Sequence, residues 1–159
     1  MNYILTIDTT NSDKTAILLA IYPYTSGITP RRCKRRGVMI IGKKVWQAKT
    51  HQSEELLPAI DRLLCRKKVK TENLGLIIVC IGPGSFTGIR VGVATANAMA
   101  LGLEVPVIGI KGKDKDIEKI MREGFALFKK GKTRKGTIAR PFYDRAPNIT
   151  TPKNKLNKK

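Results

Sequence analysis

Histidine, acid and aromatic residues are scarce in this sequence. One histidine, His51, serves all 159 residues. A histidine-built metal cluster is excluded by count, and a Ser-His-Asp set could be drawn only from His51, Ser85 and some aspartate, with no spacing to support it. The cysteines are Cys33, Cys65 and Cys80, an odd and widely spaced set without a Cys-x-x-Cys. They suggest neither a disulfide framework nor a zinc site. Cys80 lies in an apolar run and reads as a small core residue. Aromatic residues make up 6% of the chain, too few to predict a stacking stripe of the kind RNA-binding modules use. No long apolar run survives inspection: the best window, Val91 to Ile110, contains Asn97, Glu104 and Pro106, so no membrane span is expected. "MNYILTIDTT" lacks a basic stretch followed by an apolar one, so no signal peptide is expected, and a reducing cytoplasm fits.

Cations are abundant. Lys and Arg number 31 against 12 Asp and Glu, a net charge of +19. Such a balance favours acidic partners, nucleic acid first. Three stretches, "RRCKRR" (31–36), "RKKVK" (66–70) and residues 129–159, hold twenty of the basic residues and a single acid, Asp144. The apolar segments between them are near neutral, so the core looks conventional and the charge belongs to loops and a tail. Solvated faces that aid solubility, or weak attraction to RNA phosphates, account for it equally well.

A chain of this length is most simply one domain with a real core. "YILTID" and "KTAILLAIY" read as strands joined by the turn-rich "TTNSD", and "GVMIIGKKVWQAK" as one or two more. A Pro/Gly/basic insertion over 23–37 separates them. "SEELLPAIDRLLCRKK" predicts a helix, with Leu56, Leu57, Ile60, Leu63 and Leu64 on one face, acids at its start and bases at its end. Pro58 lies early enough to be a kink or part of the first turn. "LGLIIVCI" has the continuous apolar character of a central strand. "FTGIRVGVATANAMALG" predicts a second helix, "VPVIGI" a strand and "DKDIEKIMREGFALFKK" a third helix. Strands followed by alternating helices and strands predict an α/β fold, a mixed sheet with flanking helices. The division expected is a lobe over 1–128 and a basic, mostly irregular tail over 129–159.

"GPGSFTGIRVG" (82–92) stands between the central strand and the second helix, where such folds place ligands. Its glycine spacing fits neither the dinucleotide fingerprint nor a Walker A loop. Nor is Ser85 set in Gly-x-Ser-x-Gly. The strand-loop-helix context still makes Gly84, Ser85 and Thr87 candidate phosphate contacts through N–H groups at the helix start. His51 reads as a residue near a helix start, not a base.

The second helix carries a four-residue period of small side chains, Gly88, Gly92, Ala96 and Ala100. It is apolar nearly all round apart from Arg90, Thr95 and Asn97, so it should be buried on more than one side. The small-residue ridge asks for another helix at close range, from this chain or another. The preceding helix could supply it, and the pair could still offer an outer face.

"LTIDTT", "HQSEELLPAIDRLL", "IGPGSFTGIRVGVATANAMALGLEVPVIGI" and "ARPFYDRAPNITTPK" together resemble the TsaB family, small partner subunits in synthesis of the threonylcarbamoyladenosine modification of tRNA. The resemblance runs from Met1 to Ile110 around one inserted loop and resumes near Ala139 to Lys153. It implies a single actin/sugar-kinase/DnaK-type (ASKHA) lobe with a ribonuclease-H-like sheet. It implies a non-catalytic subunit beside a TsaD-type transferase and a TsaE-type ATPase, with tRNA reached through the complex. On that reading Leu56, Ile60, Leu63, Gly88, Arg90, Gly92, Ala96 and Ala100 face the TsaD helices. Relatives of the superfold keep a phosphate-binding hairpin where "DTT" (8–10) stands, which adds Asp8 and Thr9 to the candidate nucleotide contacts. The glycine-free turn favours a structural role for Asp8. No intrinsic cofactor or metal is expected, although a nucleotide could sit at the subunit boundary: TsaD relatives bind metal through paired histidines where this chain reads "KGKDKD". Family members carry a second lobe of ~100 residues. Here that lobe is nearly absent, and the basic insertion brings Arg31, Arg32, Lys34, Arg35 and Arg36 as candidate RNA contacts. Two other functions stay in view: a nucleotide-binding enzyme using "GPGSFTG", and a stand-alone basic RNA-binding module.

Overall fold

The computed structural model describes residues 2–22, 37–47, 51–112, 116–131 and 133–144. Five strands, β1 (Asn2–Asp8), β2 (Thr15–Tyr22), β3 (Met39–Trp46), β4 (Leu74–Gly82) and β5 (Val107–Lys111), form one sheet in the order β3-β2-β1-β4-β5. β2 runs antiparallel to both of its neighbours, β1 and β3, whereas β1–β4 and β4–β5 are parallel. Parallel neighbours need crossovers, and the helices α1 (Gln52–Arg66) and α2 (Phe86–Gly102) supply them. A third helix, α3 (Ile117–Lys129), follows β5. The stretch "GVMIIGKKVWQAK" yields one strand, not two, with a register shift opposite Leu19/Ala20.

Alternation along each strand divides the core between two faces. Leu5, Ile7, Ile17, Leu19, Ile77 and Val79 point to one side and are covered by α1 and α2. Ile4, Leu18, Ala20, Ile78 and Cys80 point to the other, against Ile117, Ile120 and Met121 of α3. That is why β4 reads as an unbroken apolar run: both faces of it are dry. The helix ends are set locally. The Ser85 hydroxyl caps α2 by accepting from the Gly88 N–H at 3.3 Å, and the Asp116 carboxylate caps α3 by accepting from the Ile117 N–H at 2.9 Å. Helix α1 runs through Pro58 and is tied to β3 by the Trp46 indole N–H, which donates to Glu55 at 2.8 Å.

Candidate functional site

The glycine loop after β4 meets the turn after β1, and the two fill each other. The Ser85 N–H donates to the Thr10 carbonyl at 2.6 Å. The Thr9 hydroxyl donates to the Gly88 carbonyl at 2.7 Å. Gln52, at the start of α1, donates to the Thr9 carbonyl at 3.2 Å and to the Thr15 hydroxyl at 2.6 Å. A Cβ at Gly84 would fall on the Thr10 carbonyl, and one at Gly88 on the Thr9 carbonyl, so the glycines let the two backbone segments touch. Asp8 accepts from the Thr10 N–H at 3.0 Å and from its hydroxyl at 2.7 Å, an aspartate closing its own turn. Thr9 and Thr10 thus lie directly against the glycine loop. Asp8, Thr9 and Ser85 are bonded to the chain itself, while Gly84 lies against the Thr10 carbonyl. Thr87, on the first turn of α2, is exposed, as is Gly84.

The small-residue ridge is also satisfied from within. Gly88, Gly92, Ala96 and Ala100 are all buried, and a Cβ at Gly92 would meet the Thr9 hydroxyl. Leu56, Ile60 and Leu63 belong to the same core cluster. Seven of the eight residues expected to face a partner therefore lie inside this chain. The four-residue spacing lets α2 sink onto the sheet and the β1–β2 turn; it does not point outward. The eighth, Arg90, is exposed, but its guanidinium lies over the Phe86 ring, 3.9 Å from the centroid.

What the two helices do present to solvent is another set. Leu57 is 52% exposed and Leu101 78%. Leu57, Pro58, Asp61 and Met99 line a shallow, mainly apolar depression of about 360 Å³ between α1 and α2, floored by Ile60 and Leu64. The sequence held a signal for it: in α1 the Leu56–Leu57 pair places one leucine beyond the buried stripe, and α2 is apolar on more sides than the sheet can cover.

The segment after α3 returns to the same end of the lobe. Asn97 of α2 brackets Ala139, donating to its carbonyl and accepting its N–H, both at 2.9 Å. The Phe142 N–H donates to the Ile81 carbonyl at 2.8 Å. Tyr143 packs on Phe86 with ring centroids 4.8 Å apart, and its hydroxyl accepts from Arg90 Nε at 3.2 Å. Residues 139–143 thus form a strap across the β4–α2 junction.

Other candidates are quiet chemically. His51 is exposed at the start of α1, with Nδ1 3.4 Å from Glu54. Burial, with Asp8 nearby, pushes the Cys80 thiol up to about 11, so at neutral pH it is a protonated core group and not a nucleophile. Among the described residues no group of three His, Cys, Asp or Glu could hold a metal ion, and no helix is long and apolar enough to cross a membrane. Arg31, Arg32, Lys34, Arg35 and Arg36 lie outside the described residues.

Comparison with known proteins meets this geometry. The family model described as TsaD, tRNA N6-adenosine threonylcarbamoyltransferase, matches residues 46–123, from the end of β3 into α3. The Bacillus subtilis protein named tRNA threonylcarbamoyladenosine biosynthesis protein TsaB is 32% identical over 107 residues, 67% of this chain and 40% of that one. The Escherichia coli protein of the same name is 34% identical over 58 residues, 36% of this chain and 25% of that one. The chain belongs to the TsaB/YeaZ family. An uncharacterized Mycobacterium tuberculosis protein is 31% identical over 97 residues, 61% of this chain and 46% of that one. YeaZ from Pseudomonas aeruginosa shares the fold, with a TM-score of 0.54 at 21% identity over 70% of this chain and 45% of that one. The chain spans less than half the length of these relatives. Against the TsaB/YeaZ family the five-stranded mixed sheet and its helices are the shared α/β, ASKHA-like part.

Proposed function

We propose that this chain acts in tRNA threonylcarbamoyladenosine biosynthesis as a non-catalytic subunit that docks on a TsaD-type transferase. The names of its relatives support the pathway. The docking reading is carried by one observation: the apolar depression between the outer faces of α1 and α2, lined by the exposed Leu57, with the exposed Leu101 two positions beyond its Met99. The match to a TsaD model supports a partner of related fold, because two such lobes can meet helix to helix. The glycine loop filled by Thr9 and Thr10 favours this over a nucleotide-binding enzyme. In the same reading a TsaE-type ATPase joins the assembly in the cytoplasm and tRNA is met through the complex. A nucleotide, if one takes part, lies at the subunit boundary. The lobe over 1–128 supplies the docking face, and the segment from 129 onward is fastened to it by its strap.

The test is co-purification with the TsaD-type subunit. Leu57→Asp and Leu101→Asp place charge on exposed positions, so both variants stay folded, and both lose the partner. Retention of the partner by the two variants together would overturn the docking face.

A further inference from the structure

Aromatic residues are few in this chain, yet two of them, Phe86 and Tyr143, meet at the β4–α2 junction, and a third, Phe142, is bonded through its N–H to Ile81 beside it. Phe86 and Tyr143 are 41% and 39% exposed, high values for rings, and they pack on each other. Arg90 lies over Phe86 and bonds to the Tyr143 hydroxyl. One residue away in sequence, Phe142 carries Lys111 over its ring, 3.6 Å from the centroid. Arg140 is exposed on the same strap and has no ion pair among the described residues. Asp144 is the one acid on the strap's flank. The cluster joins two elements far apart in sequence, the start of α2 and the strap, and so escapes any count of aromatic content.

We propose that this cluster is a contact surface for single-stranded RNA, with a nucleobase packing on Tyr143 and phosphates on Lys111, Arg140 and Arg90. Flat exposed rings beside cations are what an unpaired strand requires: every base has a face to stack, and every linkage carries a charge. The net charge of +19 draws a polyanion to the molecule, and the rings decide where it rests. An anionic membrane is the poorer fit, because the rings lie against cations and backbone and form no continuous apolar face. The choice of RNA over DNA rests on the tRNA reading above; the surface itself does not depend on docking to a transferase.

The experiment is fluorescence anisotropy with the full chain and a labelled single-stranded RNA of ~12 nucleotides, across a salt series. Tyr143→Ala is expected to weaken binding about tenfold, the scale of one lost base stack. The pair Lys111→Gln with Arg140→Gln is expected to lower the slope of log K against log salt by about 1.4, at ~0.7 per phosphate on a single strand. Lys119→Gln with Arg122→Gln, exposed on α3 across the sheet, is the control and should leave the slope nearer the parent's. Should Tyr143→Ala loosen the fold, the Lys111/Arg140 pair still decides the matter. An unchanged slope for that pair, an equal loss for the α3 pair, equal affinity for single-stranded DNA, or equal binding to anionic phosphatidylserine vesicles would each overturn the proposal. Failure here leaves the co-purification test untouched, and failure there leaves this one intact.

Discussion

Thr9 is the residue on which the interior turns. Its hydroxyl donates to the Gly88 carbonyl, its own carbonyl accepts from Gln52, and its side chain fills the space opposite Gly92. The two glycines differ in what a methyl group would strike. At Gly92 it meets the Thr9 side chain; at Gly88 it meets the Thr9 backbone. Gly92→Ala should therefore cost about 2 kcal/mol and Gly88→Ala about 3, both from overpacking. The distinguishing prediction is the double variant. Thr9→Ala trims the atoms nearest the new methyl at position 92, so it should recover about half of the Gly92→Ala loss and none of the Gly88→Ala loss. Urea unfolding of the three single variants and the two doubles measures the coupling. Equal rescue at both sites would mean that the backbone, not the side chain, gives way.

These residues also show what could be read from sequence. A strand, a glycine-rich turn and a helix over Phe86–Gly102 were legible in order, because apolar runs and glycines mark local geometry. The direction of the ridge was not. A repeat of small side chains says that something approaches closely, and not which neighbour does. Here that neighbour is a threonine seventy-nine positions upstream of Gly88, which no local pattern encodes. The partner of the Ser85 N–H is hidden in the same way, since nothing in "GPGSFTG" reveals that the Thr10 carbonyl accepts it.

At the scale of elements, the strap is the feature with the most consequences. Residues 139–143 have no regular secondary structure, yet Asn97 holds Ala139 by two hydrogen bonds and Ile81 holds Phe142 by a third. Sequence reading expects an irregular basic tail from residue 129. Asn97 looked like a polar interruption in an apolar helix, and its partner lies 42 positions away. Asn97→Leu leaves both Ala139 backbone groups without their partner, at a cost of about 1–3 kcal/mol. Amide hydrogen exchange should then speed up at Ala139 and Phe142, while the amides of β1 and β4 keep their protection. Uniformly faster exchange would make the strap part of the cooperative core instead of a separately opening unit. The docking depression and the RNA-contact cluster sit on different parts of α2, Met99 and Leu101 towards its end and Phe86 and Arg90 at its start. One helix can thus serve both surfaces without either using the other's side chains.

Over the whole molecule, charge acts against compactness. Cations exceed acids by nineteen, so most of them have no acid to pair with. Lys43 is an exception. Partial burial pulls its pKa down, but Glu118 at 3.3 Å and Asp116 at 3.4 Å more than offset this and leave it raised. That bridge ties β3 to the start of α3. The rest of the excess repels itself across a lobe whose width is comparable with the Debye length of ~30 Å at ~0.01 M salt, and that length shrinks to ~8 Å at ~0.15 M. Folding gathers the cations, so repulsion weighs more on the native state than on the expanded one. Raising sodium chloride across that range should therefore raise the melting temperature by several degrees, with ~1–2 kcal/mol of self-repulsion converted at ~2–4 °C per kcal/mol. Surface ion pairs would be screened in the opposite sense. A melting temperature that fell with salt would show that such pairs outweigh the excess. A short single-stranded RNA at low salt should reproduce the rise in the parent chain, because it neutralises the same cations. In the Lys111→Gln, Arg140→Gln variant its effect should shrink while that of salt persists, which separates a located contact from a general relief of charge.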